Sequence, residues 1–69
     1  MKRYAALIEK TRNGYSAHVP DLPGCVAAGD SRRGTIRLLR ESIRLHIRGL
    51  VEDGLPVPDP ACSAETVEV

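Results

Sequence analysis

The sequence is poor in aromatic side chains, since its 69 residues include no tryptophan, no phenylalanine and only two tyrosines. Single-stranded nucleic acids are commonly bound by stacking their bases on aromatic side chains, so a stacking platform of that kind is excluded. No apolar run is long enough to cross a bilayer. The net charge of +1 gives the whole-protein field no preference for or against a polyanion.

Cysteine is also scarce, because Cys25 and Cys62 are the only two. The N-terminal apolar run before Glu9 is only five residues long, too short for a secretory signal, so we predict a cytoplasmic protein with free thiols. A chain of this length forms one domain, residues 1–69, with a marginal core. Without a disulfide, we expect homo-oligomerisation, as a dimer or tetramer, to support it.

Arrangements of residues that carry catalysis are missing as well. His18 and His46 are the only histidines, and neither has an acid or cysteine at catalytic spacing. The two cysteines lack the close partner that a metal site needs. The carboxylates fall mostly at predicted turns and helix ends, whereas metal-assisted phosphoryl chemistry needs converging pairs. We therefore predict no catalytic residue, no metal site, no cofactor and no enzymatic activity.

Alternating apolar and polar residues predict two N-terminal strands, Lys2–Lys10 and Tyr15–Val19. Between them, Asn13-Gly14 is typical of a type I′ hairpin turn, because both residues accept a positive φ. A two-residue loop at this point would set the register and place Ile8 opposite Val19.

A stiff segment follows, Val19–Ser31, in which Pro20 ends the second strand because proline cannot donate to a ladder. The next four residues, Asp21-Leu22-Pro23-Gly24, are typical of a turn. The short apolar run Cys25–Ala28 is then predicted to form a third strand.

A long helix is predicted from Arg32 to Asp53, with Ser31 as its N-cap and Gly54 as the residue that ends it. Its core-facing stripe comprises Ile36, Leu39, Ile43, Ile47, Leu50 and Val51.

The segment Gly54–Pro60 contains three prolines, so it cannot continue the helix. Glu65–Val69 then predicts a fourth strand, with Val67 and Val69 facing inward. The right-handed crossover rule places that strand beside the first one. The predicted fold is α+β, with element order β-β-β-α-β, a four-stranded mixed sheet of order 3-2-1-4 and one long helix on one face.

One flank of the predicted helix, roughly opposite the core stripe, carries Leu38 and Leu45, with small Ser42 and Gly49 nearby. Singly exposed leucines are ordinary on protein surfaces. Two leucines seven residues apart on a marginal domain also indicate a contact between helices, so this flank is a candidate oligomer interface.

The other flank carries a basic stripe of arginines, namely Arg33, Arg37, Arg40, Arg44 and Arg48. Two interpretations are open. In the first, the stripe is a solvated face that is partly neutralised by Arg37–Glu41 and Arg48–Glu52 pairs, each worth about 0.2–0.5 kcal/mol. Alternatively it is a row of phosphate contacts that makes binding steeply salt-dependent, with Arg37, Arg44 and Arg48 as the candidate nucleic-acid contacts.

The segment Tyr15–Ser31 reads Tyr-Ser-Ala-His-Val-Pro-Asp-Leu-Pro-Gly-Cys-Val-Ala-Ala-Gly-Asp-Ser and resembles the signature of the HicB-type antitoxin family. Tyr4–Glu9 resembles that family's first strand, and Gly54–Pro60 resembles its Gly…Pro-x-Pro tail. The helix departs from the family's acidic start, since it begins Arg33-Gly34-Thr35-Ile36. Many members continue into a DNA-binding domain with no counterpart in these residues, so a single-domain member is expected.

The resemblance implies a partial RNase H-like fold and a protein that acts without catalysis by binding a small HicA-type mRNA-cleaving toxin. The turn at Asp21, Leu22 and Pro23 is the candidate partner-binding site, because it is stiff and presents one acid and one apolar side chain. Two alternatives stay open: a small RNA- or DNA-binding protein that uses the basic stripe, and an oligomerising module without a toxin.

Overall fold

The computed structural model describes residues 2–69. Three strands are followed by one helix: β1 (Leu7–Lys10), β2 (Tyr15–His18), β3 (Val26–Gly29) and α1 (Arg32–Glu52). β2 lies in the middle of the sheet and pairs antiparallel with both neighbours. α1 packs on one face of the sheet, mainly against β3 and β2. The predicted order of three strands and a long helix is confirmed.

The predicted four-stranded mixed sheet of order 3-2-1-4 is wrong. Within residues 2–69 the sheet has three antiparallel strands in the order β1-β2-β3. The expected fourth strand, Glu65–Val69, has no strand structure, and the side chain of Val67 is 77% exposed. The prolines at 56, 58 and 60 cannot donate to a ladder. The N–H groups of Ala61 and Cys62, which follow these prolines, donate to the carboxylate of Asp21 instead. The C-terminal tail (residues 55–69) therefore cannot extend the sheet at these positions.

The predicted register of the first hairpin is also wrong. Ile8 lies opposite Ala17 and not opposite Val19, because the four residues Thr11–Gly14 connect the two strands. The type I′ turn does not form, since only two glycines further along the described chain have positive φ. The register differs by two residues, which keeps every side chain on its predicted face. Ala17 and Val19 are therefore still buried in the core.

The turn prediction failed because Gly14 packs closely against the end of β3. The residue is buried, and a Cβ placed on it would lie 2.2 Å from the carbonyl oxygen of Gly29. Glycine is therefore needed here because the hairpin approaches the end of β3 closely, and not because a turn needs a positive φ.

The first strand is shorter than its predicted span, Lys2–Lys10. Continuing the observed register would bring Ala5 opposite Pro20, which has no N–H to donate. The ladder accordingly ends at Leu7, and the N-terminal segment (residues 2–6) runs on without pairing.

The core lies between α1 and the sheet. Its buried side chains are Ala17, Val19, Leu22, Cys25 and Leu39, and half-buried Tyr4, Ala6, Ile8, Ala27 and Ile43 pack against them. In the predicted helix stripe, Leu39 is buried, but Val51 is 64% exposed and that assignment is wrong. A helix of 21 residues is about 31 Å long, whereas a four-residue strand spans about 13 Å. The last turns of α1 therefore extend beyond the sheet.

Both predicted ends of the helix are confirmed to within one residue. The Oγ of Ser31 accepts a hydrogen bond from the N–H of Gly34 at 3.0 Å. Fully buried Thr35 adds a bond from its Oγ1 to the carbonyl of Ser31 at 2.8 Å. At the other end, Gly54 has φ 71°, and the N–H of Leu55 donates to the helix at 2.9 Å, the pattern of a Schellman motif.

Candidate partner-binding surfaces

The connection between β2 and β3 forms two consecutive turns. The N–H of Leu22 donates to the carbonyl of Val19 at 3.1 Å, and the N–H of Cys25 donates to the carbonyl of Leu22 at 3.0 Å. Pro23 and Gly24 occupy the centre of the second turn, and the φ of 92° at Gly24 identifies it as type II. A turn was predicted at Asp21–Gly24, and the structure confirms it one residue later, at Leu22–Cys25.

Leu22 does not have the exposure that was predicted for it. The two turns direct its side chain inward, where it is fully buried with Val19 and Leu39. The expectation that this loop presents an apolar side chain to a partner is therefore wrong for Leu22. Pro23 is exposed and Asp21 is half-buried, so these two candidate partner-binding residues are at the surface.

Asp21 binds the C-terminal tail. Its Oδ2 accepts hydrogen bonds from the N–H of Ala61 at 2.9 Å and from the N–H of Cys62 at 3.0 Å. These bonds, that from Cys62 foremost, stabilise the ionised carboxylate and lower the pKa of Asp21. Hydrogen bonding to Asp21 and its negative charge raise the pKa of the Cys62 thiol. Asp21 thus joins two distant parts of the chain.

Two further contacts hold the tail against the N-terminal segment. The hydroxyl of Tyr4 donates to the carbonyl of Pro58 at 2.6 Å. Lys2 forms an ion pair and hydrogen bond with Asp59, which raises the pKa of Lys2 and lowers that of Asp59. These anchors join residues more than fifty positions apart, and local sequence patterns carry no signal for them.

An apolar groove of about 610 Å³ lies between the N-terminal segment and α1. It exists because α1 packs mainly on β2 and β3 and leaves the N-terminal segment partly uncovered. Its lining side chains are Lys2, Tyr4, Ala6, Ile36, Leu39, Arg40, Ile43, Arg44, Ile47 and Val57. The sequence pattern assigned the isoleucines to a closed core, so it did not reveal this groove.

The candidate oligomer interface occupies one flank of α1, as predicted from helical spacing. Leu38 is 52% and Leu45 is 68% exposed, while Ser42 and Gly49 are half-buried. The Sγ of Cys25 lies 4.0 Å from the carbonyl of Ser42, which places this flank next to the connection that leads into β3. Oligomerisation through these side chains stays a prediction.

The basic stripe is exposed at Arg37, Arg44 and Arg48. Its expected neutralisation does not occur as predicted, because Glu41 pairs with Arg44 at 2.8 Å and not with Arg37. The expected Arg48–Glu52 pair is absent from the ion pairs of residues 2–69. The interpretation of the stripe as a partly neutralised face thus loses both of its predicted ion pairs.

The groups that could carry other chemistry are dispersed. In the described part of the chain, residues 2–69, no three His, Cys, Asp or Glu side chains converge on a possible metal position. His18 lies on β2 and His46 on α1, both half-buried. Cys25 is a buried free thiol and Cys62 an exposed one. Across the same residues, no helix has the length and apolar character needed to span a membrane.

The chain is a small α+β domain with a three-stranded antiparallel sheet and one covering helix, and its surface includes an exposed apolar flank and a basic stripe. The sequence identifies the family of this domain. Residues 4–68 match a family model described as the HicB-like antitoxin of bacterial toxin-antitoxin systems. The chain belongs to the HicB-like antitoxin family, and the resemblance found in its sequence is confirmed.

Several relatives show how far the similarity extends. An uncharacterized 14.9 kDa protein from the rep-hol intergenic region of Haemophilus phage HP1 is 42% identical over 55 residues, or 80% of this chain. The chain spans only 41% of that phage protein. A UPF0150 protein of Helicobacter pylori is 46% identical over 50 residues, covering 72% of this chain and 69% of the relative.

A solved structure is also similar. It is a chain of a HicA3 and HicB3 toxin-antitoxin complex, 32% identical, with a TM-score of 0.71. The match covers 87% of this chain and 70% of that one.

Proposed function

We propose that this protein binds and neutralises a HicA-type mRNA-cleaving toxin in the cytoplasm, and that it acts by association and not by catalysis. The observation that carries the proposal is its similarity, at a TM-score of 0.71 and 32% identity, to a chain of the HicA3 and HicB3 complex. Membership of the HicB-like antitoxin family over residues 4–68 supports the same role.

Co-expression tests this function directly. The candidate toxin is a short basic protein, sought in the reading frame next to the gene for this chain. Its expression alone is expected to stop growth and degrade mRNA, and co-expression of this protein is expected to restore both. The proposal fails if the toxin remains active when this protein is present in excess and folded.

The toxin contact is placed on the exposed side of the double turn, at Asp21 and Pro23. An mRNA-cleaving toxin needs a basic surface for its substrate, and a carboxylate on a stiff loop is complementary to such a surface. Asp21→Ala is expected to weaken toxin binding at least tenfold in calorimetry, because it removes that charge. Glu9→Ala removes the same charge from β1 and is expected to change the affinity less than twofold. Equal effects of the two substitutions would contradict this placement.

A homo-oligomer formed through the flank at Leu38, Ser42, Leu45 and Gly49 is the second part of the proposal. The exposure of both leucines supports it, since a marginal domain gains stability by covering such side chains. Light scattering is expected to show a dimer or tetramer that Leu38→Glu with Leu45→Glu converts to a monomer. Val26→Glu alters an exposed apolar residue on β3 and serves as the control. A monomeric unsubstituted protein would overturn this part.

A further inference from the structure

Four arginines at the start of α1 surround one open cavity of about 560 Å³, with Ile36 as its only apolar lining residue. These four residues, Arg32, Arg33, Arg37 and Arg40, are named here the arginine cradle. We propose that the arginine cradle binds the phosphate backbone of a nucleic acid, independently of its sequence. The proposal does not rest on toxin binding.

The charge of the helix supports an anionic ligand. α1 contains six arginines and two glutamates, a formal charge of +4, whereas the whole chain carries +1. The positive charge is therefore concentrated on one element. The first helical turn contains no acidic residue, and the helix dipole adds a partial positive charge at the same end.

The cradle is not neutralised from within the described chain. The ion pairs of residues 2–69 are Lys2 with Asp59 and Arg44 with Glu41. Neither of them involves a cradle arginine. Four arginines thus line one cavity and none of them pairs with a carboxylate within 4.0 Å, although Glu41 follows the last of them directly in sequence.

The spacing of the cradle suits a chain of phosphates. At about 1.5 Å per residue, its first and last arginines lie about 12 Å apart along the helix axis. Phosphates of one strand advance by about 3.4 Å each along the duplex axis, so arginine side chains spread over this length can reach several of them. The planar guanidinium group binds phosphate oxygens in pairs, which makes arginine well suited to this contact.

A nucleic acid fits the cradle better than an acidic protein does. The cores of protein interfaces are largely apolar, whereas the cradle offers a single half-buried isoleucine among its arginines. Contacts to phosphate need only charged donors and give no sequence preference. No aromatic side chain lines the cavity, so the contact is with the backbone and not with stacked bases.

Fluorescence anisotropy with a labelled 20-base-pair DNA duplex and an RNA duplex of the same sequence tests the proposal. Neutralising four phosphates of the DNA gives a slope of about −3.6 for the logarithm of affinity against the logarithm of salt concentration. The affinity for DNA should therefore fall about 150-fold between 50 and 200 mM KCl. Binding of either duplex supports the proposal, and the tighter one identifies the source of the phosphates.

Paired variants locate the contact. Arg33→Gln with Arg37→Gln removes two of the four contacts, so the DNA slope should fall to about −1.8. Arg3→Gln with Arg12→Gln removes the same charge from exposed positions outside the cradle and should leave the slope unchanged. Circular dichroism confirms that both double variants remain folded. An equal loss in the two variants would overturn the assignment to the cradle.

Two other outcomes would refute the proposal. One is the absence of binding to both duplexes at 50 mM KCl. The other is binding of polyglutamate as tightly as of the duplexes, which would make the cradle a surface for acidic proteins. Toxin binding by the variant with Arg33→Gln and Arg37→Gln is measured separately, so failure of this inference and failure of the proposed function are distinguishable.

Discussion

Leu22→Ala provides a sharp test of the fold, because the side chain lies in a surface loop and is nevertheless fully buried. Truncating a buried leucine removes its transfer free energy and leaves a cavity, at a cost of about 2–5 kcal/mol. A domain of 69 residues has a total stability of about 3–10 kcal/mol at typical values per residue. The substitution is therefore expected to remove a large share of the free energy of unfolding.

The assay is urea denaturation followed by circular dichroism, with a thermal melt as a second measurement. A loss of 2 kcal/mol corresponds to a fall of about 8–16 °C in Tm for a domain of this size. Leu38→Ala is the matched control, because it removes the same atoms from a side chain that is 52% exposed. Its free energy of unfolding, measured on the monomer, is expected to change by about 0.5 kcal/mol or less.

A loss of less than about 1 kcal/mol for Leu22→Ala, or a loss equal to that of Leu38→Ala, would refute the assignment of Leu22 to the core. The expected result also affects how the candidate partner-binding loop is tested. A variant that changes Asp21 and Leu22 together would unfold, so a loss of partner binding in it would not locate the contact. Asp21 and Pro23 must therefore be tested without changing Leu22.

Three further substitutions test other parts of the structure. Gly14→Ala should destabilise the protein in urea by about 1–3 kcal/mol or prevent folding, because the added Cβ would lie 2.2 Å from a backbone oxygen. Gly49→Ala should stabilise α1 by about 0.8–1.0 kcal/mol, since its Cβ meets no atom within 4 Å, and no gain would contradict the open site. Asp21→Ala should shift the NMR signals of the Ala61 and Cys62 amides. Because the folded state lowers the pKa of Asp21, the stability that its ionised carboxylate contributes is fully present above the pKa of Asp21 in the unfolded chain. Acid should produce the same shifts as the pH falls through the lowered pKa, and unchanged signals would refute the tail contact.

The helix and the turn around Pro23 and Gly24 were predictable because their signals are local. Ser31 and Gly54 supply the cap and the left-handed residue that an isolated helix also requires. Pro23 and Gly24 fit the central positions of a type II turn whatever surrounds them. The family resemblance arises from the same stretch, since Tyr15–Ser31 contains both the double turn and the helix cap.

The hairpin register and the course of the tail were not predictable, because long-range contacts determine both. Gly14 has the sequence context of a turn residue, yet its close approach to Gly29 is what requires glycine. The segment Glu65–Val69 has the alternation of a strand, but the tail does not pair with the sheet. Asp21 instead accepts hydrogen bonds from the tail amides of Ala61 and Cys62. Leu22 was predicted to be exposed for a related reason. The sequence of a loop does not indicate in which direction two successive turns point a side chain.

The tail amides of Ala61 and Cys62 occupy the carboxylate of Asp21, so they compete with any partner that binds the same carboxylate. Its anchors close long loops through exposed contacts, so the tail is expected to open while the core stays folded. A partner that requires a free Asp21 binds only the molecules in which the tail is open. Its apparent dissociation constant equals the intrinsic constant divided by that open fraction. If the proposed toxin contact at Asp21 is correct, substitutions at Lys2 or Tyr4 are expected to raise the affinity for that partner, although neither residue belongs to the proposed contact.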